Sequence, residues 1–171
     1  MSIVLIGARG SGKSTIGRKL ADRLWQSFID VDEQIIRRAG KNIRDIFEQD
    51  GEERFRQFET EVIKEASHLP DHVIALGGGS LMREENRMAL KEGGHKLIYL
   101  RCDPKELARR IKADPTSGAT RPSLTQFGGG IEEIEFLLAL REAIYRECMH
   151  AELDVTNLSP DEAVVYIVRM T

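Results

Sequence analysis

Gly7-Ala8-Arg9-Gly10-Ser11-Gly12-Lys13-Ser14-Thr15 sets three glycines, a lysine and three hydroxyl side chains within nine residues. This spacing fits the phosphate-binding loop, or P-loop, in which glycines let the backbone turn with positive φ and aim N–H groups at one phosphate. Gly10, Ser11, Gly12 and Thr15 are the loop groups expected around a nucleotide, with the N-terminus of the following helix adding partial positive charge. Lys13 is placed to reach the β and γ oxygens, and the Ser14 hydroxyl to ligate Mg²⁺. The predicted chemistry is binding of ATP with Mg²⁺ and transfer of a phosphoryl group. A glycine-rich turn that only joins strand to helix would have no need of Lys-Ser-Thr at this register.

Asp30 and Asp32 flank Val31 at the end of an apolar run, Phe28 to Val31. Alternation along a strand puts both on one face, near the sheet edge where open α/β folds bind ligands. One carboxylate could hold the metal, and the other accept a hydrogen bond or a proton from an attacking hydroxyl. Either could instead cap the following helix, Asp32 in particular. Arg54, Phe55, Arg56, Phe58 and Glu59 open a long helical pattern. Gly77, Gly78 and Gly79 permit close approach of a ligand to the backbone, or a plain tight turn. Arg141 and Arg146 lie on a late helix beside the apolar run Leu137 to Leu140. Spacing alone does not choose among these arginines.

The elements that must position these groups follow from apolar periodicity. Strands are predicted at Ser2 to Ile6, Phe28 to Val31, Val73 to Leu76, Lys96 to Leu100 and Asp154 to Thr156. Helices are predicted at Ser14 to Leu24, on either side of Gly40 through Phe47, at Glu52 to His68, Ile131 to Met149 and Asp161 to Met170. Asp103-Pro104 with Glu106, and Ser159-Pro160 with Glu162, carry the capping-box signature of a helix start. Strands alternating with helices imply right-handed crossovers and a three-layer α/β/α fold around a five-stranded parallel sheet, the P-loop NTPase arrangement. The segment 112–130 has no apolar period and is rich in Gly, Pro, Ser and Thr, so it is expected to be a mobile lid.

At 171 residues with 41% hydrophobic content, one domain spanning the chain is expected. A net charge of −3 argues against general affinity for nucleic acid. The apolar run Ile3 to Ile6 is far too short for a membrane span or signal segment, so a cytoplasmic protein is expected. Cys102 and Cys148 lack metal-ligand spacing and are read as reduced thiols. A monomer is the default.

Taken in order, the residues resemble the shikimate kinases. The matching run is Phe28 to Asp32, Gly40, Ile43 to Phe47, Gly51-Glu52-Glu53-Arg54-Phe55-Arg56 and Glu59. Gly77 to Gly79, Asn86, Arg121-Pro122, Arg141 and Tyr145-Arg146 continue it, so the resemblance covers nearly the whole chain. It implies that ATP passes its γ-phosphate to a hydroxyl of shikimate, giving shikimate 3-phosphate. By the same resemblance Lys13 binds ATP, Ser14 and Asp30 serve Mg²⁺, and Asp32 positions the hydroxyl. Arg56 and Arg141 would grip the shikimate carboxylate with backbone at Gly78 and Gly79, and the lid residue Arg121 would close over the phosphates. Arg110 falls near the adenine, and around Leu158-Ser159 no basic or amide side chain is expected at the nucleotide. Alternatives are a related small-molecule kinase, such as a gluconate kinase, and a non-catalytic nucleotide-binding module. No Asn-Lys-x-Asp sequence is present to read guanine.

Overall fold

A computed structural model of the chain describes residues 1–116, 122–123 and 128–171. Its five strands are β1 (Ile3–Ile6), β2 (Ser27–Asp30), β3 (His72–Ala75), β4 (Lys96–Arg101) and β5 (Ala151–Asp154). They form one parallel sheet in the order β2-β3-β1-β4-β5. Parallel neighbours need crossovers rather than hairpins, and helices supply them. These are α1 (Lys13–Leu24), α2 (Val31–Ala39), α3 (Ile43–Asp50), α4 (Glu52–Ala66), α5 (Glu84–Glu92), α6 (Pro104–Ala113), α7 (Ile131–Cys148) and α8 (Pro160–Met170).

Strand alternation divides the core. Val4 and Ile6 of β1, with Leu97 and Tyr99 of β4, pack on one face against α2, α3, α4, α5 and Tyr145 of α7. Ile3 and Leu5, with Ile98 and Leu100, pack on the other face against α1, α6 and α8. Helices on both faces are why the inner strands read as continuous apolar runs rather than alternating ones. The central strand β1 lies between β3 and β4, so the loops leaving the carboxyl ends of these strands converge above it. In a doubly wound sheet this crevice is the ligand site. Among the described residues, no helix is long and apolar enough to cross a membrane. Cys102 and Cys148 are unbridged.

Several predicted boundaries shift, each for a local reason. β2 ends at Asp30, and Val31 begins α2, so Asp32 belongs to a helix and strand alternation does not place it. Asp30 is the cap of α2, its side chain accepting a hydrogen bond from the Glu33 backbone N–H at 3.2 Å. β5 covers Ala151–Asp154 rather than 154–156, because pairing with β4 recruits Ala151 and Glu152 despite their weak apolar signal. α5 has no counterpart in the sequence reading, since only Asn86 and Leu90 of it are buried. The capping box at Ser159 forms. The one expected at Asp103 does not, because Arg101 takes the Asp103 carboxylate at 3.0 Å and Arg109 and Arg110 take Glu106. α6 runs through Ala113, so 112–113 are helical rather than part of a loop.

The first P-loop glycine is dictated by this architecture. Gly7 has φ +143°, and a Cβ there would sit 2.6 Å from the Leu100 carbonyl oxygen in β4. A backbone oxygen at the centre of a sheet cannot move aside. Gly7→Ala is therefore expected to cost about 2 kcal/mol or more in unfolding free energy. Denaturant titration checks this, and an unchanged midpoint would show that the loop can shift away from β4.

Candidate active site

The P-loop turns on Gly10 (φ +86°) and Gly12 (φ +93°), with Gly12 as the N-cap of α1. Lys13 is buried, and its Nζ donates to the carbonyls of Gly7 and Ala8, both at 2.8 Å. The ammonium thus lies against the loop it belongs to. Ser14, half-buried on the first turn of α1, donates its hydroxyl to the second carboxylate oxygen of Asp30. One carboxylate therefore caps α2 and meets the P-loop hydroxyl.

After β3 the chain makes the turn Gly77-Gly78-Gly79, and charged groups from three helices converge on it. A Cβ on Gly79 would lie 2.7 Å from an Arg56 nitrogen of α4 and 3.1 Å from an Arg141 nitrogen of α7. A Cβ on Gly77 would lie 3.0 Å from Glu59 Oε2 and 3.2 Å from Asp32 Oδ1. The turn is pinned from all sides. The Ser80 hydroxyl donates to Glu59 at 2.6 Å, the Asn86 amide to the Ser80 carbonyl at 2.8 Å, and the Tyr145 hydroxyl to the Gly78 carbonyl at 2.5 Å. Burial pushes the Tyr145 phenol up to about 12, partly offset by the Arg141 guanidinium beside it. The phenol is thus a permanent donor at neutral pH.

Glu59 is fully buried and pairs with Arg56 at 2.7 Å. Burial raises its carboxyl above the ordinary range; Arg56 and Ser80 pull it back, and Asp32 adds to the rise. Arg56 thus has a buried counter-charge, and Arg141 has Tyr145 beside it. Two guanidiniums drawn to one turn repel each other, and an anion bound between them relieves that repulsion.

Two cavities open on this arrangement. The larger, about 960 Å³, is walled by the P-loop, Asp30, Arg109, Arg110 and the stretch Thr156 to Pro160. The smaller, about 100 Å³, is walled by Phe47, Phe55, Arg56, Glu59, Gly79, Leu137, Arg141 and Tyr145. Asp32, Gly77 and Gly78 belong to both walls, so the cavities meet at the Asp32 carboxylate.

Of the residues singled out from sequence, Gly10, Gly12, Lys13, Ser14, Thr15, Asp30 and Arg110 line the larger cavity. Arg56, Gly79 and Arg141 line the smaller one, and Asp32 and Gly78 line both. Ser11 is buried inside the P-loop. Arg110 donates to Glu106 at 2.8 Å and to the Val155 carbonyl at 2.8 Å, which fixes its plane against the nucleotide side. Arg54 and Arg146 stay outside, Arg54 over the Phe58 ring and Arg146 paired with Glu142 and Glu152. Arg121 lies outside the described residues, with the rest of 117–121 and 124–127 of the proposed lid. The flanking Asp114 and Thr116 line the larger cavity, and Pro122 and Gly129 the smaller one. Sequence reasoning missed Asn157, an amide in the nucleotide-side wall directly before Leu158. It also left Glu59 and Tyr145 without a role, since nothing local marks a surface-type residue for burial.

The shikimate kinase family model matches residues 9–171. The chain belongs to the shikimate kinase family. It is 39% identical over 166 residues to the shikimate kinase of Thermobifida fusca, covering 97% of this chain and 92% of that protein. To the shikimate kinase of Paracidovorax citrulli it is 44% identical over 152 residues, 88% of this chain and 80% of that one. The structure of shikimate kinase from Acinetobacter baumannii in complex with shikimate superposes with a TM-score of 0.91 at 32% identity, covering 99% of this chain and 91% of that one. As a member of a kinase family whose fold it shares, this chain is an ATP-dependent phosphotransferase.

The elevated Glu59 carboxyl gives this kinase a testable pH signature. An acid whose folded pKa exceeds its unfolded one costs stability while ionised. That cost is complete above the folded pKa and vanishes as pH falls through it toward the unfolded value. Glu59→Gln keeps an acceptor oxygen for Arg56 and turns an N–H toward Ser80, whose hydroxyl can accept it, but carries no charge. At pH 7 the variant is expected to match the parent or exceed it by about 1 kcal/mol, with the difference shrinking as pH falls toward about 4.5. Denaturant unfolding at both pH values checks this. A variant clearly weaker at pH 7 would show that the Arg56 attraction outweighs the burial of charge.

Proposed function

We propose that this chain transfers the γ-phosphate of ATP to a hydroxyl of shikimate, releasing ADP and shikimate 3-phosphate. The meeting of the two cavities at Asp32, with the P-loop on one side and the Arg56–Arg141 pair on the other, is the observation that carries this reading. Two planar guanidiniums suit a carboxylate, which each can bind through paired N–H···O contacts. The backbone of Gly78 and Gly79 completes that end, and the apolar rings of Phe47 and Phe55 face the carbon frame.

In this reading the carboxylate anchor turns the acceptor hydroxyl toward Asp32. The acceptor oxygen forms a bond to the γ phosphorus as the bridging bond to ADP breaks, and the hydroxyl proton leaves through the Asp32 carboxylate. Lys13 exchanges the Gly7 and Ala8 carbonyls for the β and γ oxygens, and Arg110 borders the base. The Ser14 hydroxyl and the buried Asp30 carboxylate present hard oxygen donors side by side, a set that fits Mg²⁺. Among the described residues no cluster of three acidic, His or Cys side chains could cage a metal alone, so phosphate oxygens and water would complete the shell. Bound there, the ion would neutralise charge on the phosphate chain.

A coupled ADP-release assay over a panel of hydroxylated acids tests the proposal, with shikimate expected to show the highest kcat/KM. ADP release that no acceptor accelerates would favour a non-catalytic nucleotide module. Asp32→Asn is expected to lower kcat by ~10²–10⁴ while ATP affinity survives, and near-normal turnover would remove Asp32 from this role. Arg56→Ala and Arg141→Ala should each weaken shikimate binding by ~1.5–3 kcal/mol, measured by titration calorimetry. Unchanged affinity in both would place the carboxylate elsewhere.

A further inference from the structure

The phosphoryl group starts in the larger cavity and ends on an acceptor held in the smaller one. A side chain that stays with it from one end of that path to the other must therefore stand in both walls. Among the described residues six do: Arg9, Asp32, Ile43, Gly77, Gly78 and Ile111. Among these six, Arg9 is the sole cation and Asp32 the sole anion. Lys13, Arg109 and Arg110 line only the nucleotide side, and Arg56 and Arg141 only the acceptor side. Arg9 is half-buried within the P-loop, and its backbone nitrogen lies 3.5 Å from where a Cβ on Gly78 would sit. It thus occupies the seam between the phosphate loop and the glycine turn. A guanidinium there presents a planar fork of N–H donors matched to two oxygens of one phosphoryl group.

We propose that Arg9 is a further catalytic residue, whose guanidinium holds the phosphoryl group in transit and then the phosphate of the product. This rests on the phosphotransfer reading above. An interaction that strengthens as the group crosses the seam belongs to the transition state and to the product complex. It is weaker with either substrate alone, so its removal should separate kcat from substrate affinity. Arginine in a glycine-rich loop could instead serve only to brace the loop. In that case acceptor and product would be affected alike.

The test compares the parent, Arg9→Lys and Arg9→Met for turnover of shikimate, affinity for shikimate and shikimate 3-phosphate, and thermal midpoint. Arg9→Met is expected to lower kcat roughly 10–10²-fold and to weaken the phosphate ester about tenfold, with shikimate affinity held within about twofold. Arg9→Lys, which keeps the charge without the fork, is expected to recover part of both losses and to report even if the Met variant folds poorly. Unchanged kcat and ester affinity would overturn the proposal, as would equal weakening of shikimate and its ester. Parent turnover of shikimate tests the underlying reading separately. If the parent prefers another hydroxy acid, the shikimate reading fails while the same comparison with that acid and its ester still decides Arg9. A parent without any phosphotransfer removes both.

Discussion

A side chain at Gly79 would displace the two guanidiniums of the site, because the position its Cβ would take already has Arg56 and Arg141 nitrogens within 3.1 Å. The neighbouring Gly77 is hemmed in the same way by Glu59, Ser80 and Asp32. The site therefore depends on a turn without Cβ atoms at the carboxyl end of β3, around which charges of both signs are crowded. That crowding needs rigidity, and hydrogen bonds from Ser80, Asn86 and Tyr145 supply it. Each comes from a different element, so the turn is held by the packing of α4, α5 and α7 together.

The same crowding explains a buried carboxylate that contributes little to stability in its own right. Glu59 is withdrawn from water, and its attraction to Arg56 has to offset that desolvation. What the pair provides is orientation. Arg56 is aimed at the glycine turn by a partner that cannot rotate away, while Arg141 is set beside the Tyr145 phenol. A carboxylate arriving between the two guanidiniums meets donors that are already placed, so less ordering is needed on binding.

On the opposite side of Asp32, the P-loop is held between strands. Gly7 passes against the Leu100 carbonyl of β4, and Gly10 against Ile111 of α6. Because β1 is the central strand, the loop that follows it lies between the glycine turn after β3 and the helix after β4. The phosphates and the acceptor are thereby brought to one seam by the strand order itself.

Much of this was legible in the residues. The P-loop announces itself, since Gly, Lys and Ser at fixed spacing serve one compact chemistry whose parts are adjacent in the chain. The alternation of short apolar strands with helical periods implied the three layers, because those periods are local consequences of backbone geometry. The sequence marks Asp30 and Asp32 as a pair, but strand alternation is not what unites them; a helix cap at Asp30 and a helix turn at Asp32 bring them to the site instead. Only the folded chain decided the strand order, the register that recruits Ala151 and Glu152 into β5, and the burial of Glu59. It also decided the convergence of Arg56 and Arg141 on one glycine, and the seat of Arg9 and Asp32 in both cavities. These are contacts between residues far apart in sequence, chosen by which apolar faces pack together. A local period reports that a face exists and is silent about what it will meet.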